Sequence, residues 1–135
     1  MTGLADSDRP TTDDLLAVAA HAQGLADPAT ASDAVWSWNQ DLYDHAVVDV
    51  DYDMDASKKR LLRGVKDRTL IASSNLEQIR GTMTFLSRAE RFCDGWLEEY
   101  AKNGVIADLC ARLGVLATDM PRDELLQLTQ PLLRQ

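Results

Sequence analysis

Between Leu76 and Tyr100 the apolar residues Leu76, Ile79, Met83, Leu86, Cys93, Leu97 and Tyr100 return at intervals of three, four and seven. That is the period of a helix with one face in a core. A second stripe, Val35, Trp38, Leu42 and Ala46, repeats it. Only Val47–Tyr52 alternates with a period of two, and nothing else in the chain offers it a strand partner. The pattern therefore predicts an all-α protein, with residues 47–52 as an extended acidic loop.

Caps and breakers divide the rest. Thr11 or Thr12 can cap a first helix with Asp13 and Asp14 in its opening turn, with Leu15, Leu16, Val18 and Ala19 inward and Gly24 as its stop. Leu25–Ala31, with Pro28, reads as a connector, and Ser32 as the next cap. Asp53 or Asp55 caps a helix closed by Gly64. Ser73 or Ser74 opens the long pattern, which runs to Asn103-Gly104 or breaks near Asp94-Gly95. Val105, Ile106, Leu109, Cys110 and Leu113 form a short helix before Gly114. Thr118 or Asp119 starts a last one, through Leu128, ended by Pro131. The expectation is five to seven helices in a single domain over residues 11–135, preceded by a flexible tail at 1–10. With 135 residues, about two-thirds of the unfolded surface is buried on folding, enough for one core.

The net charge of −8 conceals a division. Residues 1–55 hold twelve aspartates and one base, whereas residues 56–135 hold ten acids and thirteen bases. Lys58, Lys59, Arg60, Arg63, Lys66 and Arg68 fall within eleven residues, opposed only by Asp67. Either the halves neutralise each other in the fold, or the acidic half is left for a basic partner and the basic stretch for an anion. Surface aspartates as an adaptation to salt are a further reading of the excess.

Asp49, Asp51, Asp53 and Asp55 suggest a calcium loop, but the frame from Asp49 puts Met54 at the glycine position and Arg60 at the glutamate position. The frame from Asp51 fails similarly, with Ala56 and Leu62. No metal or cofactor is expected. At about 100° per residue, Glu90 falls inside the apolar arc of Ile79, Met83, Leu86, Cys93 and Leu97. A carboxylate there needs an arginine, a hydroxyl or backbone donors, or else acts as a general base. Cys93 and Cys110 read as buried apolar residues, too few for a disulfide framework or a cysteine zinc site. His21 and His45 show neither nucleophile nor metal spacing. Trp36 and Trp38 project to opposite sides of one helix, which leaves Trp36 for a partner surface.

The block Ser87-Arg88-Ala89-Glu90-Arg91-Phe92-Cys93-Asp94-Gly95-Trp96 continues into Asn103-Gly104-Val105-Ile106 and Leu109-Cys110-Ala111-Arg112-Leu113. Together with Asp41-Leu42-Tyr43-Asp44-His45, it resembles a family of small archaeal and bacterial domains of unknown function that carry an R-x-E-R-F-x-D-G stretch. The resemblance spans roughly residues 35–116. It departs at Trp96, where the family pattern has histidine, and at Met54, where it has an aromatic residue. It implies that Arg88, Glu90, Arg91 and Asp94 form a structural polar hub, and it implies no activity.

The first functional expectation is a non-catalytic acidic interaction domain, an inhibitor or regulator of a basic or nucleic-acid-handling protein, gripping it through Asp49, Asp51, Asp53 and Trp36. The alternative is a small enzyme on a phosphate-bearing substrate, with Glu90 or Asp94 as base and Lys58, Lys59, Arg60 and Arg63 as anion site. Direct nucleic-acid binding through Lys58–Arg68 is disfavoured by the acidic whole, and homo-oligomerisation stays open. No apolar run reaches the roughly 18 residues of a membrane span, and the opening residues lack the build of a secretory signal. Both point to the cytoplasm.

Overall fold

The computed structural model describes residues 10–49 and 51–119. Over them the chain forms α1 (Thr12–Ala19), α2 (Ala22–Ala26), α3 (Pro28–Asp44), α4 (Met54–Lys66), α5 (Thr69–Ala72), α6 (Leu76–Ala89), α7 (Trp96–Lys102) and α8 (Val105–Asp119). No strand occurs among the described residues, and the fold is one compact all-α domain. Six of these segments run seven residues or more. Among the described residues no helix is long and apolar enough to cross a membrane.

Local chemistry sets the boundaries. Thr11 caps α1: its hydroxyl accepts from Asp14 N at 3.1 Å, and Asp14 accepts from Thr11 N at 2.9 Å. The expected connector 25–31 shrinks to Asp27. This aspartate accepts from Ala29 N at 2.9 Å and so caps α3 in place of Ser32. Pro28 takes the first helical position, where its fixed φ fits and its missing N–H costs nothing. Asp53 caps α4, accepting from Ala56 N at 3.0 Å. The cap of α6 is Asn75, in a reciprocal pair with Gln78, and not Ser73 or Ser74. Ser74 is instead buried and donates to Leu70 O.

Three glycines expected to stop helices lie inside them. Gly24 is within α2, Gly64 within α4 and Gly114 within α8. A Cβ on Gly64 would come within 3.0 Å of Ile71 Cγ1, so the residue serves the close approach of α4 to α5. The long pattern does break, at Gly95, whose φ of +94° suits a residue without Cβ. Thr118 and Asp119 belong to α8. The expected helix through Leu128, and the tail up to Arg9, lie outside the described residues.

The core sits around α8, whose Val105, Ile106, Leu109, Cys110 and Leu113 are all buried. Helices α1 and α2 pack on it from one side, α5, α6 and α7 from others, while α3 covers α2 and α7. Trp38, Val35 and Leu42 are fully buried as the stripe requires, and Trp36 is exposed. Leu16, expected inward, is 39% exposed. Cys93, expected in the core, is exposed because α6 has ended before it.

After α3 the chain turns through Ala46 at φ +57° and enters the acidic segment. Arg80 of α6 holds that turn: Nε donates to Val47 O at 3.0 Å, and Nη2 reaches Ala46 O at 3.4 Å and Val48 O at 3.3 Å. One turn on, Thr84 Oγ1 accepts from Asp49 N at 3.0 Å. Arg88 lies over the Tyr52 ring, 5.3 Å from its centroid. Arg80→Met removes the donors from all three carbonyls. We expect a loss of roughly 1–3 kcal/mol in chemical denaturation, with helical circular dichroism retained. Unchanged stability would show that the turn does not need the clamp.

Candidate interaction surface

The clamp grips the acidic segment by its backbone. Asp49 Oδ1 accepts from Asp51 N at 3.0 Å, an Asx turn, and Asp53 caps α4. The Asp51, Asp53 and Asp55 side chains are exposed, and Asp49 is half-buried. Ion pairs among the described residues join His21 to Asp41, His45 to Asp14 and Arg68 to Asp108. None of these three joins an early aspartate to a later lysine or arginine. A cleft of about 260 Å³ opens beside the segment, lined by Asp49, Tyr52 and Asp53 from one side and Arg60, Asn75 and Glu77 from the other.

Two exposed aromatic residues lie on the helix that precedes the acidic stretch. Trp36 and Tyr43, 44% and 43% exposed, are seven positions apart on α3 and so share one face. The Tyr43 hydroxyl lies 3.2 Å from Ser87 Oγ, and Ser87 Oγ also bonds Asn39 Oδ1. This face therefore meets the C-terminal end of α6 and leads into the acidic segment. Sequence reasoning missed Tyr43, although the seven-residue spacing from Trp36 was there to be read.

The four residues of the expected polar hub do not converge. Glu90 follows the last residue of α6, and its carboxylate turns to the start of α7, accepting from Gly95 N at 3.0 Å and Leu97 N at 2.9 Å. It meets backbone donors, one of the partners expected of it, but as a cap and not inside the core. Arg88 is engaged with Tyr52, while Arg91 and Asp94 are exposed and their side chains form no hydrogen bond or ion pair among the described residues. Neither Glu90 nor Asp94 lines the cleft beside the acidic segment or the groove between α5 and α8. As a cap, Glu90→Ala should cost roughly 1–2 kcal/mol in thermal or chemical melts, and Glu90→Gln less, because one acceptor oxygen remains. Full stability in Glu90→Ala would refute the capping role.

The basic stretch divides similarly. Lys58, Lys59, Arg63 and Lys66 are exposed on α4. Arg60 is half-buried, donates to Ser74 Oγ at 3.4 Å and faces the carboxylates of the cleft. It is thus separated from the anion site expected of it. No three His, Cys, Asp or Glu side chains come together as a metal-holding group among the described residues.

The two histidines, unassigned in the sequence, fasten α1 and the turn after it to α3. His21 Nε2 lies 2.6 Å from Asp41 Oδ2, and His45 Nδ1 lies 2.9 Å from Asp14 Oδ1. Hydrogen bonding to Asp14 raises His45 above its ordinary 6.5 against the opposing effect of burial, with help from the charges of Asp14, Asp41 and Asp44. Burial pushes Asp14 up, but bonds from the Thr11 backbone and His45 outweigh it and hold the carboxyl below its ordinary 3.8. The raised histidine stabilises the fold below 6.5 and stops doing so as pH rises through its folded value. The lowered aspartate contributes above 3.8 and fails as pH falls through its folded value. The bridge is therefore complete between about pH 4 and 6.5. Wild-type Tm should fall from pH 6 to pH 8 by more than that of His45→Gln; parallel profiles would refute the bridge.

Burial drives the Cys110 thiol far up, which leaves it protonated and inert. The Trp38 indole N–H, also buried, has no oxygen or nitrogen partner among the described residues and is turned to this sulfur.

The molecule is thus a small helical domain in which α6 holds the segment after α3 and leaves the Asp51 and Asp53 side chains exposed. A family model described as a family of unknown function (DUF6508) matches residues 19–119, and the chain belongs to that family. No curated protein and no solved structure matches the chain.

Proposed function

We propose that this protein is a non-catalytic interaction domain that grips a basic, nucleic-acid-handling partner through Asp49, Asp51 and Asp53, with Trp36 as aromatic anchor, and so inhibits or regulates it. The observation that carries this reading is the clamp of Arg80 on the carbonyls of residues 46–48. It fixes the acidic segment through its main chain, with the Asp51 and Asp53 side chains exposed. Fixed carboxylates steer a cationic partner and set its register, and a neighbouring Trp–Tyr face supplies apolar area at little entropic cost. Closely spaced aspartates repel one another in a chain of net charge −8, and a cationic partner relieves that repulsion.

The test uses asparagine at positions 49, 51 and 53. Asparagine preserves the Asx turn and the helix cap, so the fold stays intact while three charges go. The wild-type protein should capture a basic nucleic-acid-binding protein from native lysate, identified by mass spectrometry. With that protein purified, the triple variant should bind about tenfold or more weakly, with a shallower salt dependence. Trp36→Ala should weaken binding without changing the salt dependence. Equal affinity of the triple variant, or a partner that is not basic, would overturn the proposal.

A further inference from the structure

Two features stand apart from that surface. The first is the loop at residues 90–95, where Phe92 is 87% exposed, the most open of the large apolar side chains described. The loop is held firmly: Phe92 N and Cys93 N both donate to Ala89 O, at 2.9 and 3.0 Å, and Glu90 takes the N–H groups of Gly95 and Leu97. A fixed backbone thus keeps an aromatic ring in water, between the exposed charges of Arg91 and Asp94.

The second is a groove of about 330 Å³ between α5 and α8, with a floor of Ile71, Ala72, Ala111 and Val115. On its rim, Arg112 Nε donates to Ser74 O at 2.8 Å. That bond orients the guanidinium, and its two Nη groups make no hydrogen bond among the described residues. They form a fork of the geometry that takes a carboxylate. Also on the rim, Asp108 Oδ2 accepts from Arg68 Nη1 at 2.7 Å, and the side chain stays partly exposed.

We propose that the groove of one molecule receives the loop of a second copy: Phe92 on the apolar floor, Asp94 on the Arg112 fork and Arg91 beside Asp108. Ring and anion on the loop meet the apolar floor and the Arg112 fork in the groove, while Arg91 shares the partly exposed Asp108 with Arg68. The loop cannot fill its own groove. It joins the start of α7, whereas Arg68 at the groove bonds Asn103 O at the far end of that helix, about 10 Å away. Loop and groove are different patches, so an isologous two-fold pair makes the contact twice, and a heterologous head-to-tail arrangement extends it into a ring or filament. Being small, it belongs with transient interfaces.

Sedimentation velocity from micromolar to millimolar concentration tests this. Wild type should shift from monomer towards larger species. Phe92→Ser and Val115→Glu, both at exposed positions, should keep their circular dichroism and remain monomeric. An equimolar mixture of the two variants should associate again, because each supplies the half that the other lacks. A wild type monomeric throughout, a single variant that still associates, or a mixture that stays monomeric would each overturn the proposal.

Discussion

The charge layout of this molecule depends on where one guanidinium places its donors. Leaving α3, the chain passes through a left-handed alanine and three carbonyls without a helical partner. Buried carbonyls require donors, and Arg80 supplies them to Ala46, Val47 and Val48. The segment is thereby held through its main chain. Asp49 and Asp53 then do local work, one in a turn and the other at a cap, while Asp51 and Asp53 keep their side chains in solvent. The later half of the chain holds the earlier half in place here, yet leaves these charges at the surface.

The same segments are tied elsewhere by titratable pairs. His45, just past the C-terminus of α3, lies where a positive ring is favoured, and Asp14 in the first turn of α1 lies where a carboxylate is favoured. The antiparallel run of α1 along α3 brings these two ends together, while His21 and Asp41 join further along. Both bridges span twenty residues or more, and neither has a local signature. No spacing rule could have found them, which is why the histidines read as idle in the sequence.

Helix existence was legible because periodicity is a property of many residues at once. The stripe Val35, Trp38, Leu42 and the set Val105, Ile106, Leu109, Cys110, Leu113 are buried as the pattern requires. Punctuation was less legible, because glycine has two uses. Gly24, Gly64 and Gly114 lie inside helices, where a Cβ would stand 3.0 to 3.4 Å from Ala34, Ile71 and Ala19. Gly95 and Gly104 are true breaks with positive φ, and each follows an Asp or Asn, the residues that favour turns by bonding nearby backbone. The preceding residue separates the two uses; glycine alone does not. Pro28 misled for a related reason, since proline disrupts a helix interior but suits its first turn.

One break accounts for two displaced side chains. On a continuous helix, Glu90 and Cys93 project towards the core with Leu86 and Leu97. Because α6 stops at Ala89, the helical period no longer governs residues 90–95. The carboxylate turns to the next helix start and the thiol comes out to solvent, while Phe92, which a continuous helix also turns away from the core, stays exposed. The break costs helical hydrogen bonds, and Glu90 offsets part of that cost by satisfying two backbone N–H groups that the stop exposes. A glutamate that a helical wheel turns towards the core is, by those two bonds, the cap of the next helix.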